Sequence, residues 1–171
     1  MRTLLKISAL AFISIAALAS SRVSAQTPST PDERARLVTL AHKLESNPLD
    51  ASLRPEREWA LKWLIQVPDI TVGMCPSILG DYHKYKYSTE ITTQLMLSGA
   101  QFVIENPDKA KDRMAQYVAA AEGALKAYSS ILQQDPKAKS KALDDTLQKQ
   151  SQGKLRDYVE DTANKSCRNG G

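Results

Sequence analysis

Apolar residues along this chain recur at intervals of three and four, and prolines cut the pattern into segments of helical length. Thr30-Pro31-Asp32-Glu33 supplies a helix start: Thr30 suits the cap, Pro31 the first helical position, and Glu33 the carboxylate of a capping box. Leu37, Leu40, Ala41 and Leu44 follow at helical spacing, and Asn47-Pro48 ends the element because a residue before proline avoids helical angles. Pro55 opens a second helix to about Gln66, with Trp59, Ala60, Trp63 and Leu64 on one face, and Val67-Pro68 stops it. A third helix runs from Ser88 or Thr89 to Glu105, its inner face marked by Ile91, Leu95, Ser98, Gly99 and Phe102. Asn106-Pro107-Asp108 reads as the end of that helix and the cap of a fourth, running from Pro107 to Gln134 and spanning roughly 42 Å. There Met114, Val118, Ala121, Leu125, Tyr128 and Leu132 keep the alternating spacing of a packed seam, closed by Asp135-Pro136. Ala142, Leu143 and Leu147 predict a fifth helix, and Leu155, Tyr158, Val159 and Thr162 a sixth, with Gly153 as the weak point between them.

Between the second and third helices, residues 68–87 resist this reading. Ile70, Val72, Met74, Ile78 and Leu79 are apolar, but Gly73, Pro76 and Gly80 interrupt any long element. The segment is expected to be an irregular, partly buried crossing with a helical turn near Ile78. No run of alternating strand residues with hairpin turn chemistry occurs. The prediction is therefore an all-α protein, an antiparallel bundle of five to six helices with short connections. Gly99 and Ala100 are expected to face Ala120, Ala121 and Ala124. Gly123 in a helix interior costs about 1 kcal/mol relative to alanine, a cost that close helix packing explains.

A repeat architecture fails its own test. Ala124, Tyr128 and Pro136 fall where the second helix of a tetratricopeptide repeat places alanine, aromatic and proline. The first-helix positions then land on Asp108, Lys111, Asp112 and Ala115, and the preceding repeat would have Phe102 for its proline.

The first 25 residues lie outside this pattern and read as an export signal. Arg2 and Lys6 precede an apolar run from Ile7 to Leu18, which is shorter than the roughly 20 residues of a spanning helix. Val23 and Ala25 occupy the −3 and −1 positions read by a signal peptidase, so cleavage is predicted after Ala25. The division that follows is 1–25 signal peptide, 26–30 flexible leader, 31–168 a single helical domain, and 169–171 a tail. The chain has 23 basic and 19 acidic residues, and loss of Arg2, Lys6 and Arg22 leaves 20 against 19. So balanced a mature chain gives no electrostatic reason to expect nucleic acid as a partner. No transmembrane anchor is expected after cleavage, and the predicted location is secreted or periplasmic. In such a compartment Cys75 and Cys167 are expected to pair.

Few residues carry candidate chemistry. His42 and His83 are the two histidines, and no metal-binding or haem-attachment motif accompanies them, so no metal or cofactor is predicted. His42 reads as a boundary residue beside the core. The densest composition is Tyr82-His83-Lys84-Tyr85-Lys86-Tyr87, preceded by Asp81. It is either a binding face that stacks on a ring and holds an anion, or a connection whose tyrosines cover the bundle. Trp59 and Trp63, one turn apart, are core anchors or, with Tyr82 and Tyr85, the lining of a ligand pocket between helices. A thiol nucleophile built from Cys75, His83 and Asp81 requires a reduced sulfur, against which the compartment and the second cysteine argue. Ser77 lacks the glycines of a nucleophile elbow. Asp144, Asp145, Asp157, Glu160 and Asp161 read as solvated acidic faces, and Asn164-Lys165-Ser166 is a glycosylation sequon. The reading is a non-enzymatic binding or envelope protein with a protein or small-molecule partner. A small-ligand carrier is the first alternative and a thiol enzyme the second.

Overall fold

A computed structural model describes residues 27–167; the predicted signal segment and the tail 169–171 lie outside them. The fold is all-α. Among the described residues six helices follow in order: α1 (Pro31–Ser46), α2 (Arg54–Gln66), α3 (Ser88–Glu105), α4 (Arg113–Gln134), α5 (Lys141–Ser151) and α6 (Leu155–Ser166). The start of α1 is set by a complete capping box: Thr30 Oγ1 accepts from Glu33 N–H at 3.2 Å, and Thr30 N–H donates to the Glu33 carboxylate at 2.8 Å. Residues 27–29 precede this box, but the leader is not free throughout. Ser29 donates from its N–H and its hydroxyl to Asp69, each at 2.8 Å, and Arg34 pairs with the same carboxylate at 2.7 Å. Desolvation alone would raise the pKa of Asp69; the bonds from Ser29 and Arg34 outweigh it and bring it down to about 2.

The fourth helix starts later than its pattern suggests. Pro107–Lys109 form a 3-10 turn, and α4 is 22 residues, beginning at Arg113. Asn106 does not cap it: its side-chain amide donates to Phe102 O at 3.0 Å and closes α3. Asp112 is the cap instead, accepting from Ala115 N–H at 2.9 Å. The expected seam also describes only part of the helix. Met114, Val118 and Leu132 are half-buried, while Tyr117, Ala120, Gly123, Ala124, Ala127 and Ile131 join Ala121, Leu125 and Tyr128 in full burial. α4 is covered on nearly every side because α1, α3, α5, α6 and the turn at Pro76–Leu79 all pack on it.

Two cores result. One gathers Cys75, Ile78, Leu79, Tyr82 and Tyr85 of the crossing with Ile91, Leu95, the large residues of α4, and Leu143, Leu155 and Val159 from the last helices. The other joins Leu37, Leu40, Ala41 and Leu44 of α1 to Ala60 and Trp63 of α2, Val67, Ile70, and Leu97, Ala100 and Val103 of α3. α3 thus faces both cores, which is why Val103 is buried and Phe102, expected inside, is only half-buried. Gly153 separates α5 from α6 with φ +69°, a left-handed turn that glycine takes without penalty.

The antiparallel pair α3–α4 comes close at Ser98 and Gly123. A Cβ on Gly123 would overlap the Ser98 hydroxyl and lie 2.6 Å from Ser98 Cβ. Gly99 faces Ala120 of α4 as expected, with that Cβ 3.8 Å from a Cβ at the glycine, and it also makes room for Val72, whose Cγ1 would sit 2.7 Å away. Gly123→Ala is predicted to destabilise the protein by about 1–3 kcal/mol through overpacking, despite a helix-propensity gain of about 1 kcal/mol. In a Ser98→Gly background the same substitution becomes neutral or favourable. Urea denaturation of the four variants checks this, and equal effects in both backgrounds would refute the close approach.

Candidate functional site

Cys75 and Cys167, 92 positions apart in sequence, form a disulfide with their Cα atoms 5.8 Å apart. Cys75 is buried at the start of the Pro76–Leu79 turn, on which α6 packs through its own buried residues Leu155, Val159 and Ala163. Closing so long a loop contributes about 4–5 kcal/mol in the chain-entropy model. The bridge leaves no thiol on Cys75 for His83 to activate.

The tyrosine-rich segment is spread over different environments. Tyr82 is buried, and its hydroxyl lies 3.0 Å from Thr92 Oγ1, which itself donates to Ser88 O, so Tyr82 is the donor. Tyr85 is buried edge-on against Tyr87 and Tyr128, both at 5.8 Å between ring centres. Its hydroxyl has no hydrogen-bond partner among the described residues. Tyr87 and Lys86 both donate to the Asp135 carboxylate, at 3.0 and 2.9 Å, and hold it below the usual carboxylate range. His83 and Lys84 remain exposed, with His83 stacked on the Tyr82 ring at 5.4 Å. These six side chains do not share one face. Tyr85, Lys86 and Tyr87 fasten the crossing to the end of α4.

That fastening continues through a bond network the sequence did not disclose. The buried Tyr128 hydroxyl donates to Asp144 at 2.7 Å and accepts from Ser140 N–H at 2.9 Å, tying α4 to the start of α5. Burial, and then the bond to Asp144, push its pKa up to about 12. Trp59 and Trp63 stack at 5.8 Å, but Trp63 belongs to the core around α1, whereas Tyr82 and Tyr85 belong to the other core. The four aromatics therefore line no common pocket. Arg36 covers the open face of Trp59 at 3.8 Å while forking onto Glu56 at 2.8 Å through two nitrogens.

The remaining candidates are dispersed. Asp157, Glu160, Asp161 and Asn164 are exposed on α6, with Asp161 paired to Lys165, and Asp145 pairs with Lys141. Ser77 and Asp81 are also exposed. His42 stands between α1 and α3, 3.5 Å from Glu45 and 3.1 Å from the Gln101 amide. Glu45, nearly covered, receives Lys126 of α4 at 3.3 Å. Among the described residues no helix is long and apolar enough to cross a membrane.

Hollows lie between these elements, three of them beside residues already named. One of about 120 Å³ surrounds Glu45, Ser98 and Gly123. A second of about 290 Å³ lies between α2 and the start of α3, lined by Leu61, Met96, His83 and the hydroxyls of Ser88, Thr89 and Thr92. The third, about 600 Å³, is a groove with Thr71, Val72, Gly73 and Met74 on one side and Ala110, Lys111, Arg113 and Gln116 on the other. Gln116 sets its width. The side chain is buried, its Oε1 accepts from Gly73 N–H at 2.8 Å, and its Nε2 donates to Ala110 O at 2.6 Å. Gly73 permits this approach, since a Cβ there would come 3.0 Å from Tyr117 Cε1 and 3.3 Å from Arg113 Cγ. The signals for this groove in the sequence were slight: a glycine in an irregular stretch and a Lys-Asp-Arg run before a helix.

The chain matches no family model, no curated protein and no solved structure. Function therefore has to be argued from this geometry. Gln116→Leu removes the acceptor for Gly73 and the donor for Ala110, and is predicted to cost about 1–3 kcal/mol. Denaturant unfolding measures the loss, and hydrogen exchange at the Gly73 amide should accelerate relative to α4. Unchanged stability together with unchanged exchange would show that the amide holds nothing.

Proposed function

We propose that this is a non-enzymatic protein of an oxidising compartment, secreted or periplasmic, whose work is to bind. The observation that carries the reading is the Cys75–Cys167 disulfide, set with Cys75 inside the core. Such a bridge persists where thiols are not kept reduced. The layout of residues 1–25 supports the same compartment, with a basic start, a short apolar run and a Val-Ser-Ala end. Helices locked at both ends of a long covalent loop make a rigid scaffold, and a groove with fixed walls is what a binding protein needs from one.

A small-ligand carrier is the second reading, favoured by the groove beside Gly73 rather than by the tryptophans and tyrosines first suspected. The test is expression of the whole chain in a Gram-negative host, followed by fractionation, intact mass and thiol titration. The expected product begins at Gln26, lies outside the cytoplasm, is short by two hydrogens and shows no reactive thiol. Uncleaved cytoplasmic protein with two titratable thiols would overturn the reading, as would turnover of an ester, peptide, glycoside or phosphate substrate.

A further inference from the structure

We propose that the groove between Thr71–Met74 and the start of α4 binds an amphiphilic carboxylate, a carboxyl group on a short hydrocarbon body. The assignment rests on the binding-protein reading and names its ligand class. Lys111 and Arg113 stand on one wall of the groove, both exposed, and neither forms an ion pair among the described residues. Of the other described cations, Arg34, Arg36, Lys86, Lys126, Lys141 and Lys165 each meet a carboxylate and others such as Lys43, Lys62 and Lys84 do not; Lys111 and Arg113 are two unpaired cations that stand together on one hollow. The acid between the two groove cations is already engaged, because Asp112 accepts from Ala115 N–H as the cap of α4. Two like charges thus line one hollow without an internal counter-ion, an arrangement that an anion stabilises.

The remaining lining selects the kind of anion. Val72, Met74 and Ala110 are half-buried and give the groove an apolar side, with Met74 adaptable to an irregular chain. A bare inorganic ion would leave that side in water, and a neutral hydrocarbon would leave the cations unmatched. A carboxylate suits the planar fork of Arg113 and carries its own apolar body. At about 600 Å³ the hollow falls within the range of small-ligand sites. Its walls are fixed in advance, since Gln116 bonds both of them, so binding spends little on ordering the protein.

The test uses the mature, oxidised chain titrated calorimetrically with decanoate below its micelle concentration, with 1-decanol and inorganic phosphate as separate probes. One saturable site for decanoate is expected. In Lys111→Gln/Arg113→Gln the affinity should fall at least about tenfold, while helix content and melting temperature stay put because neither residue is paired in the fold. Decanol and phosphate should each bind at least about tenfold more weakly than decanoate. The proposal is overturned by a flat decanoate titration, by equal affinity in the double variant, or by decanol or phosphate matching decanoate. None of these outcomes moves the mass, cleavage or thiol count that decide the compartment, so the two readings fail separately.

Discussion

The structure depends on a helix that other elements cover on nearly every side. α4 meets α1, α3, α5, α6 and the turn at Pro76–Leu79, and a helix so surrounded has few directions left for large side chains. Its sequence divides the work accordingly. Ala115, Ala120, Ala121, Gly123, Ala124 and Ala127 let backbones approach, while Tyr117, Leu125, Tyr128 and Ile131 fill the core shared with the crossing and the last two helices. Ser98 against Gly123 is a tight expression of this constraint. Only Glu122 and Lys126 of the middle of the helix remain exposed, and Lys126 reaches back to Glu45.

The last third of the fold is held by different means. α5 buries Leu143 and Thr146, and α6 buries Leu155, Val159 and Ala163, a thin apolar stripe on each. Polar and covalent fastenings supplement it: Tyr128 bonds Asp144 and Ser140, and the disulfide anchors the end of α6 to the turn that precedes Tyr82. The crossing is therefore no passive connection. It supplies Cys75, Ile78, Leu79, Tyr82 and Tyr85 to the core and leaves Thr71–Met74 as a wall of the groove.

Local chemistry was legible where it acted locally. The capping box at Thr30, the stop at Asn47-Pro48 and the break at Gly153 each need only neighbouring residues, and each appears where the sequence placed it. Tertiary demands were less visible. The start of α4 turned on whether Asn106 would serve the helix behind it or the one ahead, and on Gln116 holding the Ala110 carbonyl, neither of which spacing reveals. The Tyr82–Tyr87 composition suggested a surface because lysines alternate with rings, yet burial follows the path of the crossing under α5 and α6. The groove was illegible for the same reason: Gly73 and Gln116 lie 43 positions apart and acquire meaning only when α4 brings them together.

Native-state hydrogen exchange addresses the primacy of α4 most directly. The amides of Ala121, Leu125 and Tyr128 should open only with global unfolding, at the free energy given by denaturant titration, and remain the slowest in the oxidised protein. Exchange of Leu125 at a lower free energy than Leu40 of α1 or Val159 of α6 would mean that the bundle is organised around some other element.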